Sequence, residues 1–250
     1  MNDWLGCAMD IGEQMLICGA EIHRVEDSVK RICGAFGSTR TDVFIITSSM
    51  VVTVHDGEGG TYTQTRRILS TDTNFERIHQ LNALSRQICA EQLTVAQIRV
   101  ELDRIIVQKP YPFWVECVSY AVISSAFTLF FGGGFVEAGI ALLIGALVRL
   151  VIALSQKAAA NRIFSKFVAS FTATALAFAA LHLGYVSTVD NMMIGIIMTL
   201  IPGIGLTNAL RDLFTGDSIA GLLRSIEAVL MALAIAAGYF LFVFLGGVFR

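Results

Sequence analysis

Proline, histidine and charge are all scarce in this sequence, and each shortage closes off a class of function. Four histidines (His23, His55, His79, His182) lie scattered with no ligand spacing, and no HExxH or Ser/His/Asp set accompanies them, so neither a zinc centre nor a catalytic triad is supported. No catalytic residue, metal ligand or cofactor is assigned. The five cysteines (Cys7, Cys18, Cys33, Cys89, Cys117) form no CxxC pair, and their odd number fits reduced thiols in a cytosolic compartment. A net charge of −2 with no basic block sets nucleic acid aside, because neutralising phosphates needs clustered Lys and Arg. The start, MNDWLGCAMD, has neither a basic leader nor an apolar core of signal-peptide length, so export of the first part is not expected.

Charge is also unevenly spread. Residues 1–109 carry 25 charged side chains and residues 110–250 only 13. Five apolar stretches occupy the second part, at 115–131, 135–154, 164–183, 192–210 and 225–248, each of a length suited to a bilayer core of about 30 Å. The expected fold is an α-helical integral membrane domain of five transmembrane helices (110–250), preceded by a small cytoplasmic α+β domain (1–109). Lys157, Arg162 and Lys166 between the second and third spans, and Arg211 and Arg224 between the fourth and fifth, place those loops inside by the positive-inside rule. The N-terminus is then cytoplasmic and the C-terminus periplasmic, with Arg250 the one cation on the far side.

Within the first part, Trp4, Ala8, Ile11, Met15, Cys18, Ile22, Val25, Val29, Ile32 and Phe36 recur at alternating steps of four and three, the stripe of one long helix or two stacked ones. Gly19 marks the bend, and Gly34 and Gly37 the end. Period-two segments then follow at 43–46, 50–55 and 61–69, rich in Val, Ile, Thr and Tyr, and predict a three-stranded antiparallel meander. DGEGG (56–60) supplies a hairpin turn and not a phosphate loop, since no Lys-Ser/Thr and no helix start follow it. Two more helices are predicted, one through Phe75, Ile78, Leu81, Leu84 and Ile88, the other through Val95, Ile98, Leu102 and Ile105, with Thr94 as a cap. The polar side of the first stripe, with Glu21, His23, Arg24, Glu26, Asp27, Lys30 and Arg31, reads as a solvated face of i, i+4 pairs. Catalytic or regulatory use of Glu13, Glu21, Arg24 and Glu26 is the competing reading.

All three prolines in the chain act as punctuation. Pro110 and Pro112, in KPYPFW, stop a helix beside aromatics suited to the headgroup layer. Pro202 falls ten residues into the run 192–211 and so near the bilayer midplane. It removes an amide donor, frees carbonyls near Met198 and is suited to start a second half-helix. Such a buried helix start attracts a carboxylate, and the freed carbonyls accept from an ammonium group or coordinate a cation. The expected solute site is Pro202, Gly203, Gly205, Thr207 and Asn208, with Arg211 and Asp212 as a gate at the cytoplasmic end. A proline kink bedded against neighbouring helices is the structural alternative. Arg149, a turn or so inside the second span, is expected either to snorkel or to pair with Asp212 or Glu227 in a gating or coupling role. Glu116 and Arg224 read as snorkelling side chains, Glu137 as interfacial, and His182 as interfacial or proton-coupling.

Taken together, GAEIHRVEDSVKRI (19–32), FGGG (131–134) and PGIGLTNALRDLFTGDSIAGLLR (202–224), in this order, resemble the threonine/serine exporter family of bacteria. The resemblance implies an inner-membrane exporter of small hydrophilic metabolites, driven by the proton gradient, with a cytoplasmic domain ahead of the spans. It singles out Glu13, Gly19, Glu21, Arg24 and Glu26 in the soluble motif, whose role is unknown, and Pro202, Gly203, Asn208, Arg211 and Asp212 in the membrane motif. Full-length members have two membrane halves, so this chain resembles the split form, whose second half is a separate small membrane protein and whose solutes include succinate besides threonine and serine. A hetero- or homo-oligomer in the lipid bilayer follows, because five spans with a polar broken helix need cover from other helices. Ala173, Ala177, Ala180 and Gly238 offer close helix contacts for it. Two rivals stand beside an exporter of threonine, serine or a C4 dicarboxylate. One is a membrane-tethered hydrolase using Glu13, Glu21 and His23; the other is a regulatory or structural subunit of a transporter whose pore lies in its partner.

Overall fold

The structure, a computed structural model, describes residues 2–108, 111–158 and 161–248. The Lys109-Pro110 junction and Arg250, which bear on the expected domain boundary and the far-side charge, lie outside the described residues. The chain divides into two compact units, Met1–Lys109 with Gly205–Ser225, and Pro110–Ile204 with Ile226–Arg250.

In the first unit, α1 (Asn2–Ile17) and α2 (Ile22–Ala35) form a hairpin. The four-three stripe is the reason: Ala8, Ile11, Met15, Cys18, Ile22, Val25, Val29 and Ile32 are all buried, and Trp4 at the start of α1 stacks on Phe36 after α2, with ring centroids 3.7 Å apart. The stripe therefore belongs to two helices. Gly19 ends the first in a Schellman turn, with φ +85°, Gly19 N–H donating to Leu16 and Ala20 N–H to Met15. A side chain at Gly19 would also strike the Asp72 carbonyl, 2.8 Å from an added Cβ.

Strands β1 (Arg40–Ile46), β2 (Ser49–His55) and β3 (Thr61–Arg67) form an antiparallel meander with β2 central, in the register Val43↔Val52 and Val52↔Gln64. Met50, Val52 and Val54 alternate inward on β2 and join the helical core. The last strand ends at Arg67, and Leu69, expected within it, is exposed. In the 56–60 turn, the Asp56 carboxylate accepts from the amides of Glu58 (3.0 Å) and Gly60 (2.6 Å). Helix α3 (Phe75–Glu91) starts on an Asn74 cap, and α4 (Val95–Val107) on a Thr94/Gln97 capping box.

In the second unit, α5 (Phe113–Phe130), α6 (Phe135–Lys157) and α7 (Arg162–His182) are followed by α8 (Asp190–Met198), α9 (Gly203–Thr215) and α10 (Ser218–Val248). Helices α9 and α10 pass from one unit into the other. The described residues hold four helices long and apolar enough to cross a membrane, or five if α8 and α9 make one broken span. Helix α10 begins at Ser218, ahead of the expected 225, so Arg211 and Arg224 are helical residues and not loop residues. Small side chains bring helices of this unit together: Ala173 and Ala177 are fully buried, and a Cβ on Gly238 would overlap the Phe167 carbonyl of α7. A Cβ on Gly195 would lie 2.6 Å from the backbone nitrogen of Thr128.

Gly195→Ala is therefore expected to destabilise the second unit by ~1–3 kcal/mol, as overpacking against backbone does. Gly139, with nothing within 4 Å of an added Cβ, provides the contrast. Heating the detergent-solubilised protein should aggregate the first variant at lower temperature and leave Gly139→Ala at or above wild type; equal midpoints for both would discount the close approach.

Candidate functional site

The chain is interrupted where Pro202 lies. Helix α8 stops at Met198, its last turn tightening as Leu200 N–H donates to Ile197 (2.8 Å) and Thr199 Oγ1 to Ile196 (2.7 Å). Pro202 has no amide to offer the Met198 carbonyl, and α9 restarts at Gly203. The sequence-predicted break is present. Gly203, Gly205 and Thr207 are exposed in this chain, and Asn208 is half-buried. None of the three cavities described is lined by a residue of the 199–212 segment.

Further along α9, Asn208, Arg211 and Asp212 stand at i, i+3 and i+4 and so share one face. This face meets the corner between α1 and α2 within the first unit. Asn208 Nδ2 donates to the Gly19 carbonyl (3.2 Å), and the Arg211 guanidinium pairs with Glu21. Asp212 Oδ1 accepts from the Ile22 amide (3.3 Å), Arg224 Nη1 donates to Asp212 Oδ2 (2.8 Å), and Arg224 Nη2 donates to the Ala20 carbonyl (3.1 Å). The Asp212 side chain is 1% exposed and that of Arg224 14%.

Each partner answers a specific deficit. The end of α1 leaves carbonyls unpaired and the start of α2 leaves amides unpaired. Glu21, at the N-cap of α2, makes no capping bond with its own side chain. A carboxylate from another helix does so instead, which the positive end of α2 favours. The two donors, Asn208 and Arg224, take the carbonyls of the corner. Helices α9 and α10 can present these groups together because they close on a second Schellman turn, with Gly216 at φ +100° and Asp217 N–H donating to Asp212 O (2.9 Å). Gly221 lets them approach, since a Cβ there would lie 2.8 Å from the Leu213 nitrogen.

Of the two residues named as a gate, Arg211 is paired with Glu21 and Asp212 with Arg224. Neighbours one position apart on a helix point about 100° apart, so each reaches a different partner. Arg149 pairs with Glu116 and with neither Asp212 nor Glu227: its Nε donates to Glu116 Oε2 at 2.8 Å, its Nη2 reaches the same oxygen, and the guanidinium lies 5.2 Å from the Phe113 ring centroid. Helices α5 and α6 form a hairpin, which brings the start of the first beside the end of the second. Arg224 and Glu116, expected to snorkel, are thus both ion-paired. Glu137 caps α6, accepting from the Gly134 amide at 2.8 Å.

The soluble motif does not converge on one site. Glu13 lies 3.7 Å from Arg66, which also binds Asp10 at 2.9 Å; burial raises the Glu13 carboxyl above its usual range, with Arg66 opposing. Glu26 pairs with Lys30 at 3.2 Å, as its spacing foretold. Arg24 lines a groove between α2 and α3, and only Gly19 and Glu21 reach the corner. Burial pushes the Cys33 thiol up to about 11, away from nucleophilic use. Sequence reasoning missed Ala20, Ile22 and Arg224 as corner residues. The one available signal was that Arg224 ends the third motif, beyond a TGD turn.

Four apolar helices of spanning length among the described residues, with a further bent pair, α8 and α9, meeting at a proline, define a multi-pass helical membrane protein. The threonine/serine exporter family model matches residues 7–246, and the chain belongs to that family. It is 24% identical over 238 residues to pheromone-regulated membrane protein 10 of Kluyveromyces lactis, covering 90% of this chain and 24% of that protein. It is also 24% identical over 242 residues to the threonine/serine exporter of Corynebacterium glutamicum, covering 94% of this chain and 49% of that one. The chain thus spans about half the length of the bacterial relative and a quarter of the yeast one. No solved structure matches.

Removing one member of a buried ion pair costs about 3–5 kcal/mol, and removing both costs less than the sum. Asp212→Ala and Arg224→Ala should each speed hydrogen exchange at the start of α2, with the double variant closer to wild type than additivity allows. Unchanged protection at Ile22 in Asp212→Ala would show that the carboxylate does not hold the corner.

Proposed function

We propose that this membrane exporter is a subunit of a secondary transporter for small carboxylate-bearing metabolites, threonine, serine or a C4 dicarboxylate such as succinate, driven by the proton-motive force. The observation that carries this reading is the break at Pro202 between the apolar helices α8 and α9 in a member of an exporter family. A half-helix start presents a positive dipole end to a carboxylate, and Pro202, lacking an amide, changes the surroundings of the Met198 carbonyl in a way that suits an ammonium group. Pro202, Gly203, Gly205, Thr207 and Asn208 form the solute site in this reading. Arg211, Asp212 and Arg224 transmit its state to the α1–α2 corner, because the helix that carries Asn208 is hydrogen-bonded there. Arg149, paired with Glu116, serves as a second coupling element in the membrane.

The soluble part, residues 1–109, lies in the cytoplasm of a bacterial cell in this reading, with the spans of 110–250 in the inner membrane. A second small membrane subunit supplies the other half of the transport unit, in keeping with the half-length match to the Corynebacterium glutamicum exporter. Lipid is a poor cover for an interrupted helix, since each unsatisfied backbone group in hydrocarbon costs several kcal/mol.

The test is reconstitution in liposomes of this chain, the partner half and both together, loaded with labelled threonine or succinate. Both together should release solute under an imposed proton gradient, and Pro202→Ala and Asn208→Ala should lower the initial rate about tenfold while leaving assembly intact, the scale of one or two lost solute hydrogen bonds. Wild-type rates in both variants would put the solute elsewhere.

A further inference from the structure

Helices α2 and α3 bury Val25, Val29, Ile78 and Leu81 in one core, but two buried places along them hold small hydroxyls, Ser28 and Ser85, 7% and 4% exposed. Short side chains at both places open a groove of about 480 Å³ over them, within the size range of small-molecule sites. Its walls are two helical stripes. On α2 they are Arg24, Asp27 and Arg31; on α3 they are Phe75, His79, Asn82 and Arg86. Arg24 and Arg31 lie seven residues apart, as do His79 and Arg86, so each wall carries two basic groups about 10 Å apart.

The charges do not cancel. Asp27 is the one carboxylate of the lining, and it is engaged by Arg31 at 2.9 Å. Among the described residues neither Arg24 nor Arg86 has a salt bridge, although i, i+4 pairing accounts for the neighbouring Lys30 and Arg31. Like charges gathered around a concave surface repel one another, and the groove concentrates their field. Guanidinium groups present planar forks of donors suited to carboxylate and phosphate. The hydroxyls of Ser28 and Ser85 lie at the floor, and Asn82, whose Nδ2 donates to the Ile78 carbonyl at 2.9 Å, adds a neutral polar wall.

We infer that the α2–α3 groove is a binding site for a compact polyanion, a small metabolite with two or more carboxylate or phosphate charges, distinct from the solute site proposed at Pro202. A zwitterion such as threonine, with one carboxylate and one ammonium, fits this excess of cations poorly. The site gives the soluble unit a means of sensing a solute that the membrane segment need not bind.

The experiment is calorimetric titration of the full-length protein in detergent at low ionic strength, using inorganic phosphate, succinate and threonine as probes. Phosphate and succinate should bind saturably, with threonine showing no Arg24-dependent binding. The double variant Arg24→Ala/Arg86→Ala should weaken both anions about tenfold or more, Arg24→Lys/Arg86→Lys should fall between it and wild type, keeping the charge and losing the fork, and Arg104→Ala, on an exposed pair with Glu101, should change nothing. Absence of saturable binding, unaltered affinity in the folded double alanine variant, or a loss in Asn208→Ala equal to that in the double variant would each overturn the assignment, the last by moving the anion to the membrane segment. Because the readout is binding and not flux, it stands or falls independently of the transport site.

Discussion

A carboxylate removed from water must be met on every side, and Asp212 is the point in this molecule where that demand is most fully answered. It is one of the least exposed charged groups among the described residues, yet it receives the Arg224 guanidinium and the Ile22 amide. The same requirement runs outward from it. The corner between α1 and α2 has carbonyls at Gly19 and Ala20 and an amide at Ile22, and the α9–α10 turn supplies donors for the first two and an acceptor for the third. A buried ion pair of this kind contributes little net stability compared with an apolar replacement, but it tolerates little variation in the geometry of its partners. It ties a helix that follows the Pro202 break to the Gly19 turn.

The membrane unit is governed by the same accounting in a harsher solvent. In hydrocarbon no water is at hand for an unpaired group, so helices close through small residues and side-chain hydroxyls that bond to carbonyls four residues back, as Thr128 does to Ser124 at 2.8 Å and Thr174 to Ser170 at 2.8 Å. Ser170 itself bonds across to the Ile235 carbonyl of α10 at 2.7 Å. Arg149 and Glu116 follow the rule for intramembrane charge by pairing with each other. The turn from Thr199 to Gly203 departs from this pattern, since its amides reach back two to four residues, Thr199 to Ile196, Ile201 to Ile197 and Gly203 to Ile201, while Pro202 has none to offer.

Much of the fold was legible because its elements follow simple periods. The four-three stripe from Trp4 to Phe36, the period-two runs of the meander and the Thr94 cap all reflect burial of one face, and burial is written locally. The extent of α10 was not legible. Its first two turns, Ser218 to Arg224, carry an arginine that reads as a loop residue, and its pairing with a buried Asp212 explains why a helix contains it. The bend at Gly19 was legible, but its close approach to the Asp72 carbonyl, between residues far apart in sequence, was not.

What the amino-acid order determined by itself is therefore the inventory: apolar lengths that suit a bilayer, a proline that leaves no amide for Met198, and helix and strand periods in the soluble part. These are consequences of side-chain chemistry acting within a few turns. Which charge meets which was decided only by the tertiary structure. Asn208, Arg211 and Asp212 could be placed on one face of a helix from their spacing, but their partners, Gly19, Glu21, Ile22 and Arg224, lie up to 190 residues away, and pairing at that distance depends on how helices pack and not on any local pattern.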